Sequence, residues 1–150
     1  MFEIRVIGER ELRKKFAHLA GATQRKIVRP AMARAIVPVN KAAKRNAPVE
    51  TGLLKKSLGI KLKTYGRRGI VWACVGPRYG FAGVGPDGRL RDPVKYAERV
   101  EMGHGSWKQG VPTVAAHPYL RPALDAQKPT VMRILEREIK KRMEQEARKR

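Results

Sequence analysis

A stripe of Ile27, Ala31, Ala35 and Ala42 recurs at helical spacing through residues 23–46, and shortly afterwards the apolar period drops to two. That switch constrains the fold most, because the two periods belong to different backbone geometries. The stripe is rich in alanine, so another element must pack close against it. Pro30 and Pro38 each remove a backbone donor, and a kink or break is expected near Pro38. Over residues 54–64, Leu54, Leu58, Ile60 and Leu62 share one parity, while Lys55, Ser57, Lys61 and Lys63 share the other. The pattern predicts a strand with one buried and one basic face. Gly66, Arg67, Arg68 and Gly69 read as a turn, and residues 70–75 as a second strand, apolar on both faces. Together they predict a β-hairpin with a basic tip.

The remaining segments are assigned by the same periodicities. Residues 2–7 alternate apolar with charged and read as a strand. Leu12, Phe16 and Leu19 predict a short helix over 9–20. Residues 76–93, rich in Gly and Pro, predict a long loop of the functional or mobile kind. Residues 95–102 suit a short helix better than a strand, and 103–116, around Trp107, are expected to be irregular. A final helix is expected over about 122–148, with Met132, Leu135, Ile139 and Met143 on its buried side. Glu136–Lys140, Glu138–Arg142 and Glu144–Arg148 would lie on its solvated side. The expectation is one α+β domain over residues 1–150: a small antiparallel sheet packed against a long helix, with a C-terminal helix and long loops.

Charge narrows the partners. The 150 residues hold 34 Lys and Arg against 13 Asp and Glu, a formal +21. Such an excess favours an anionic partner, either nucleic acid or acidic neighbouring subunits. It also makes isolated copies repel one another at low salt. Lys55, Lys61, Lys63, Arg67 and Arg68 are the candidate contacts to DNA or an acidic partner. The competing reading is a solvated strand face guarding an edge. Aromatic residues are only 6% of the chain, which argues against a base-stacking platform.

Little else points to chemistry. His18, His104 and His117 have no metal-ligand spacing with one another or with the single Cys74. Cys74 sits in an apolar run and is expected to be a buried structural thiol. The glycines at 80, 83 and 85 lack the strand-to-helix context of a phosphate loop. Glu98 and Glu101 are three apart, as a paired acid and base would be, but two surface acids beside Lys95 and Arg99 explain them more simply. No apolar run approaches the ~20 residues of a membrane helix, and no signal-peptide core is evident. The expectation is a soluble, cytoplasmically made protein that is not an enzyme and needs no metal or cofactor.

Three segments then carry a resemblance. The first is residues 47–58, with Pro48, Thr51, Gly52 and Leu54. The second is 96–103, with Tyr96, Glu101 and Gly103. The third is 117–124, with Pro118, Tyr119, Leu120, Arg121 and Pro122. Their order and spacing resemble the minor tail-component or tail-completion family of long-tailed phages, also called gene-product-ten-like neck proteins. Within that pattern, Met102 stands where an aromatic is usual, His104 where Thr is usual, and Tyr119 where Phe is usual.

Each motif residue has a folding role to play. Pro48 should stop the helix before it. Thr51 and Gly52 should turn the chain into the basic strand. Pro118 and Pro122 should bracket the anchor Tyr119 and Leu120, with Pro122 in a first helical turn. The resemblance implies a virion scaffold: a homo-oligomeric ring, a hexamer by expectation, at the head–tail junction. Its implied partners are the head-closure or adaptor ring, the tail terminator or tail-tube proteins, and genomic DNA in the lumen, with no membrane.

Two other function classes compete. The charge alone would suit a free-standing nucleic-acid-binding protein, which predicts tight binding with a steep salt dependence. A small basic nuclease would need a His or Glu among cations, and His104 with Glu101 is its one candidate cluster.

Overall fold

The structure, a computed structural model, describes residues 21–65, 70–105 and 114–148. The expected strand 2–7, helix 9–20, hairpin tip with Arg67 and Arg68, and Trp107 lie outside these residues.

The Ala-rich stripe forms two successive helices, α1 (Gly21–Ala35) and α2 (Val37–Asn46). The break falls at Ile36, because Pro38 has no N–H to offer the carbonyl of Arg34. Asn40 N–H still donates to Ile36 O at 3.2 Å, so the chain keeps a helical course through the break. Helix α2 ends at Ala47, whose ψ of 128° is the extended value that Pro48 demands of the residue before it.

The period-two segment is partly corrected. Leu53–Ser57 is a short helix, α3, and the strand β1 spans Leu58–Tyr65. Leu54 and Leu58 share a parity, but they also sit four apart, so a helical turn buries both equally well. Local bonds decide for the turn: Lys56 N–H donates to Gly52 O at 3.0 Å, and Ser57 Oγ donates to Leu54 O at 2.7 Å.

Strand β2 (Ile70–Pro77) pairs antiparallel with β1, from Leu58↔Pro77 to Tyr65↔Ile70. The expected hairpin is present. Its second strand, however, has no fully buried residue, and Cys74 is half-buried rather than core.

The 76–93 segment is more structured than a plain loop. Gly83–Val84 (β3) and Leu90–Arg91 (β4) form a short antiparallel ribbon, braced where Arg91 reaches Glu50 at 2.9 Å and Asp87 at 3.3 Å. Helix α4 (Pro93–Met102) follows, with the Asp92 carboxylate accepting Val94 N–H at 3.1 Å as its N-cap. Helix α5 (Leu120–Ala147) then packs along both α1 and α2. It is the element that the alanine stripe accommodates.

Two core clusters result. Ile27, Ala31, Ala35 and Val39 meet Val131, Leu135 and Ile139 of α5 in the first. Ala42, Ala43, Leu54, Leu58, Ala97, Tyr119 and Ala123 form the second, and Val75 packs against both. On α5, Leu135 and Ile139 are buried as expected. Glu138 is buried too, against the expectation that it is solvated, because it meets Arg34 at 3.0 Å and Arg142 at 3.6 Å.

Candidate functional site

The second and third motifs meet in space around one carboxylate. Glu101, on the last turn of α4, is only 8% exposed. Its Oε2 accepts the backbone N–H of Tyr119 at 2.8 Å and of Leu120 at 2.9 Å, and its Oε1 accepts that of Arg121 at 2.9 Å. A helix leaves its first four N–H groups without internal partners. At the start of α5 those belong to Tyr119, Leu120, Arg121 and residue 122, and Pro122 has no N–H. One side chain from a remote helix therefore completes the set. A negative charge at a helix N-terminus is also favoured by the helix dipole.

This overturns the reading of Glu101 as a surface acid. It is a remote cap for α5, whose start lies two residues earlier than expected. Glu98 and His104 are exposed, and both Glu101 oxygens are engaged by helix N–H groups, so the Glu101–His104 pair does not form an open acid–base cluster.

The neighbours of the carboxylate keep the two motifs in register. Gly103 has φ +71°, and a Cβ there would fall 2.7 Å from Val114 O and 2.8 Å from Ala116 N. Only glycine satisfies both demands. His117 N–H donates to Val100 O at 2.8 Å, and His104 pairs with Val114 in a bridge. Tyr119 is fully buried, and its hydroxyl has no hydrogen-bond partner within the protein. Burial pushes its phenol well above the usual tyrosine range, reinforced by the nearby Glu101 charge and Tyr96. Tyr96 itself is half-buried against the second core cluster.

The first motif is built from local bonds. Gly52 has φ +72° at the start of α3, and Thr51 Oγ1 accepts Leu53 N–H at 3.3 Å. The pair launches a helical turn, not the strand directly. Leu54 from that turn is buried, and Pro48 is exposed after the end of α2.

The basic candidates divide into separate surfaces. Lys61 and Lys63 stand on the outer face of β1, away from α1, and both are exposed. Register places Cys74 opposite Lys61 and Trp72 opposite Lys63, so this face alternates cations with apolar groups. Lys63 Nζ lies 5.2 Å from the Tyr65 ring centre, a cation–π distance. Burial pushes the Cys74 thiol up, and the Lys61 charge pulls partly against it. Lys55 lies on α3 and is exposed there with Lys56; it is not part of the strand face.

A further cationic group escaped the sequence reading. Lys41, Lys44 and Arg45 of α2 line a shallow depression with Val37, Pro38 and Gln127, without a carboxylate among them. Their spacing had offered only a solvated helix side, and the approach of α5 makes them the wall of a hollow.

Among the described residues no group of three or more His, Cys, Asp or Glu could hold a metal ion, and no helix is long and apolar enough to cross a membrane. No curated protein and no solved structure matches the chain. A family match does exist, to the HK97-gp10-like family, described as "Bacteriophage HK97-gp10, putative tail-component", over residues 10–108. It spans the first motif and the second. The third lies beyond it and is tied to the second through Glu101. The chain belongs to the HK97-gp10-like family of bacteriophage tail components.

Proposed function

We propose that this chain is a non-enzymatic structural subunit that closes into a ring, a hexamer by expectation, at the head–tail junction of a tailed phage. The ring would sit between the head-closure or adaptor ring and the tail terminator or tail tube, with genomic DNA in its lumen. The observation that carries the reading is membership of the tail-component family over residues 10–108. Two features support it. Glu101 spends a buried charge on fixing α5 to α4, a device that serves rigid geometry. The cations stand on outward surfaces, where they can meet phosphate or acidic neighbours: Lys61 and Lys63 on one, Lys41, Lys44 and Arg45 on another.

The test is electron microscopy of purified virions with a gold-labelled antibody to this chain. Label at the junction of head and tail is expected. Label at the distal tip of the tail would sink the neck placement while keeping a tail component. Label absent from particles, with the protein recovered on host nucleic acid, would favour a free-standing nucleic-acid-binding protein, the reading that the +21 charge also motivates.

A further inference from the structure

The β3–β4 ribbon is turned inside out. Its two rungs pair Gly83 with Arg91 and Val84 with Leu90. Gly83 and Arg91 are half-buried, whereas Val84 is 68% exposed and Leu90 75%. The rung with the charged group therefore faces the body of the protein, and the apolar rung faces away from it. Directly opposed residues share one face of a ladder, so Val84 and Leu90 form one patch rather than two scattered side chains. The inner face is fixed in place. A Cβ on Gly83 would fall 2.9 Å from a methyl of Leu53 on α3, and Arg91 holds Glu50 at 2.9 Å and Asp87 at 3.3 Å. Gly85 N–H donates to Arg89 O at 2.8 Å, and Gly88 N–H to Gly85 O at 3.0 Å, which closes the turn. A braced ribbon that presents its apolar rung to solvent has the form of a contact surface.

Charge selects the partner. Residues 83–92 hold Asp87 and Asp92 against Arg89 and Arg91, a formally neutral stretch in a chain of net +21. The bridge from Arg91 to Glu50 adds a third carboxylate beside it. Phosphate gains nothing from such a surface, and an acidic neighbour is better served by the lysines of β1 or α2. Two copies of this chain repel each other over most of their surface, and over this ribbon the repulsion is small. Like-charged copies can bury Val84 and Leu90 there at little electrostatic cost.

We propose that the outer face of the β3–β4 ribbon, Val84 with Leu90, is a contact to a second copy of this chain. The choice of partner rests on the ring reading. A closed ring is built head to tail, so the ribbon of one copy meets a different surface of the next. Two side chains fall well short of the roughly 800 Å² per partner that a stable dimer buries. Each contact is therefore weak alone, and closure of a ring sums several of them in one assembly. The cationic surfaces stay free for other partners.

The test is sedimentation equilibrium of the full chain across a salt series. An apolar contact between like-charged copies should tighten as salt rises, because screening removes the repulsion and leaves the burial intact. A contact of cations with carboxylates would loosen instead. The expected result is self-association that strengthens up to about 1 M salt, where the screening length is about 3 Å. Leu90→Asp and Val84→Asp should each weaken it at least about tenfold, and Leu90→Met should preserve it. Both positions are exposed, so the Asp variants should melt as the parent does, which separates lost contact from lost fold. A parent that stays monomeric at every salt, association that loosens with salt, or association untouched by both Asp variants would each overturn the proposal. The size of the assembly tests the ring separately. Ribbon-dependent association that stops at a dimer would keep the contact and sink the ring, and a ring that both Asp variants still close would keep the ring and sink the contact.

Discussion

Glu101 accepts the backbone N–H of Tyr119 at 2.8 Å, across 18 positions of sequence, and so turns the end of one helix into the cap of another. Truncating the side chain leaves three N–H groups at a part-buried helix start without their acceptor. Hydrogen bonds to a charged group are worth roughly 1.5–3 kcal/mol each, though they do not add fully. Glu101→Ala should therefore cost about 3 kcal/mol in urea denaturation, and Glu101→Gln about half of that, since it keeps one acceptor oxygen and loses the charge. A Glu101→Ala variant as stable as the parent would show that α5 needs no remote cap.

Tyr119→Phe should behave in the opposite sense. The hydroxyl is buried without a partner in the protein, so removing it should be neutral or stabilise by up to about 1 kcal/mol. Tyr119→Ala, which empties the same site, should cost about 4 kcal/mol. Alkaline pH separates the two variants further. The folded phenol is raised above its ordinary value near 10, so the unfolded chain loses its proton first. Stability present below pH 10 is then lost as pH rises past it. Tyr119→Phe should flatten that alkaline decline, and an unchanged decline would assign it to other groups.

How far these features could be read from residues alone depends on whether the signal was local. The alanine stripe, the hairpin and the helix near 95–102 rest on period and neighbours, and the structure bears them out. Leu53–Ser57 departs from the strand expectation because a spacing of four serves a strand and a helical turn alike; the Lys56–Gly52 and Ser57–Leu54 bonds that decide for the turn do not show in that spacing. Glu101 and Glu138 were assigned to solvent because charge is usually exposed. Their partners, backbone N–H groups 18 to 20 positions away and Arg34 at a separation of 104, leave no mark in the local pattern. In the candidate site, then, the motif residues were legible as a set. The reason they form a set, one carboxylate holding two motifs together, was not.

Two glycines with nearly the same φ should respond differently to alanine. Gly52, at +72°, has nothing within 4 Å of a new Cβ, so Gly52→Ala carries only backbone strain, about 1 kcal/mol. Gly103, at +71°, would also drive that Cβ to 2.7 Å from the backbone carbonyl of Val114. Gly103→Ala should cost at least about 2 kcal/mol more, because backbone must shift to admit it. Equal thermal shifts for the two variants would mean that the backbone at Val114–Ala116 shifts at no cost to admit the Cβ.

Glu138 is held between Arg34 and Arg142 on the inner side of α5. Burial pushes its carboxyl up, but the Arg34 hydrogen bond and the charges of Arg34, Arg142 and Lys141 outweigh it, so the net direction is down from 4.5. A depressed carboxylate stabilises the fold above its unfolded pKa, and that contribution fades as pH falls through the folded value. Acid titration of the melting temperature should show a loss below pH 4.5 that Glu138→Gln lacks. At neutral pH the variant should melt several degrees lower. Parallel titration curves for the two proteins would remove Glu138 from the acid response.

Lys61 and Lys63 face outward from β1, and if phosphate passes this face they should contribute counterion release in proportion to their number. Binding of a short duplex, followed by anisotropy across a salt series, gives that number as the slope of log affinity against log salt. Lys61→Ala and Lys63→Ala should each weaken binding irrespective of sequence; Lys61→Ala should lower the slope by about one, Lys63→Ala by less, and the double variant by between about one and two. Lys63 should show the smaller effect of the pair, because its ammonium already rests 5.2 Å from the Tyr65 ring and a phosphate must compete with that contact. Tyr65→Leu should therefore raise the Lys63 share of the slope. If both lysine variants keep the parent slope, the outer face of β1 does not meet the nucleic acid, and the Lys41, Lys44 and Arg45 hollow becomes the surface to test by the same titration.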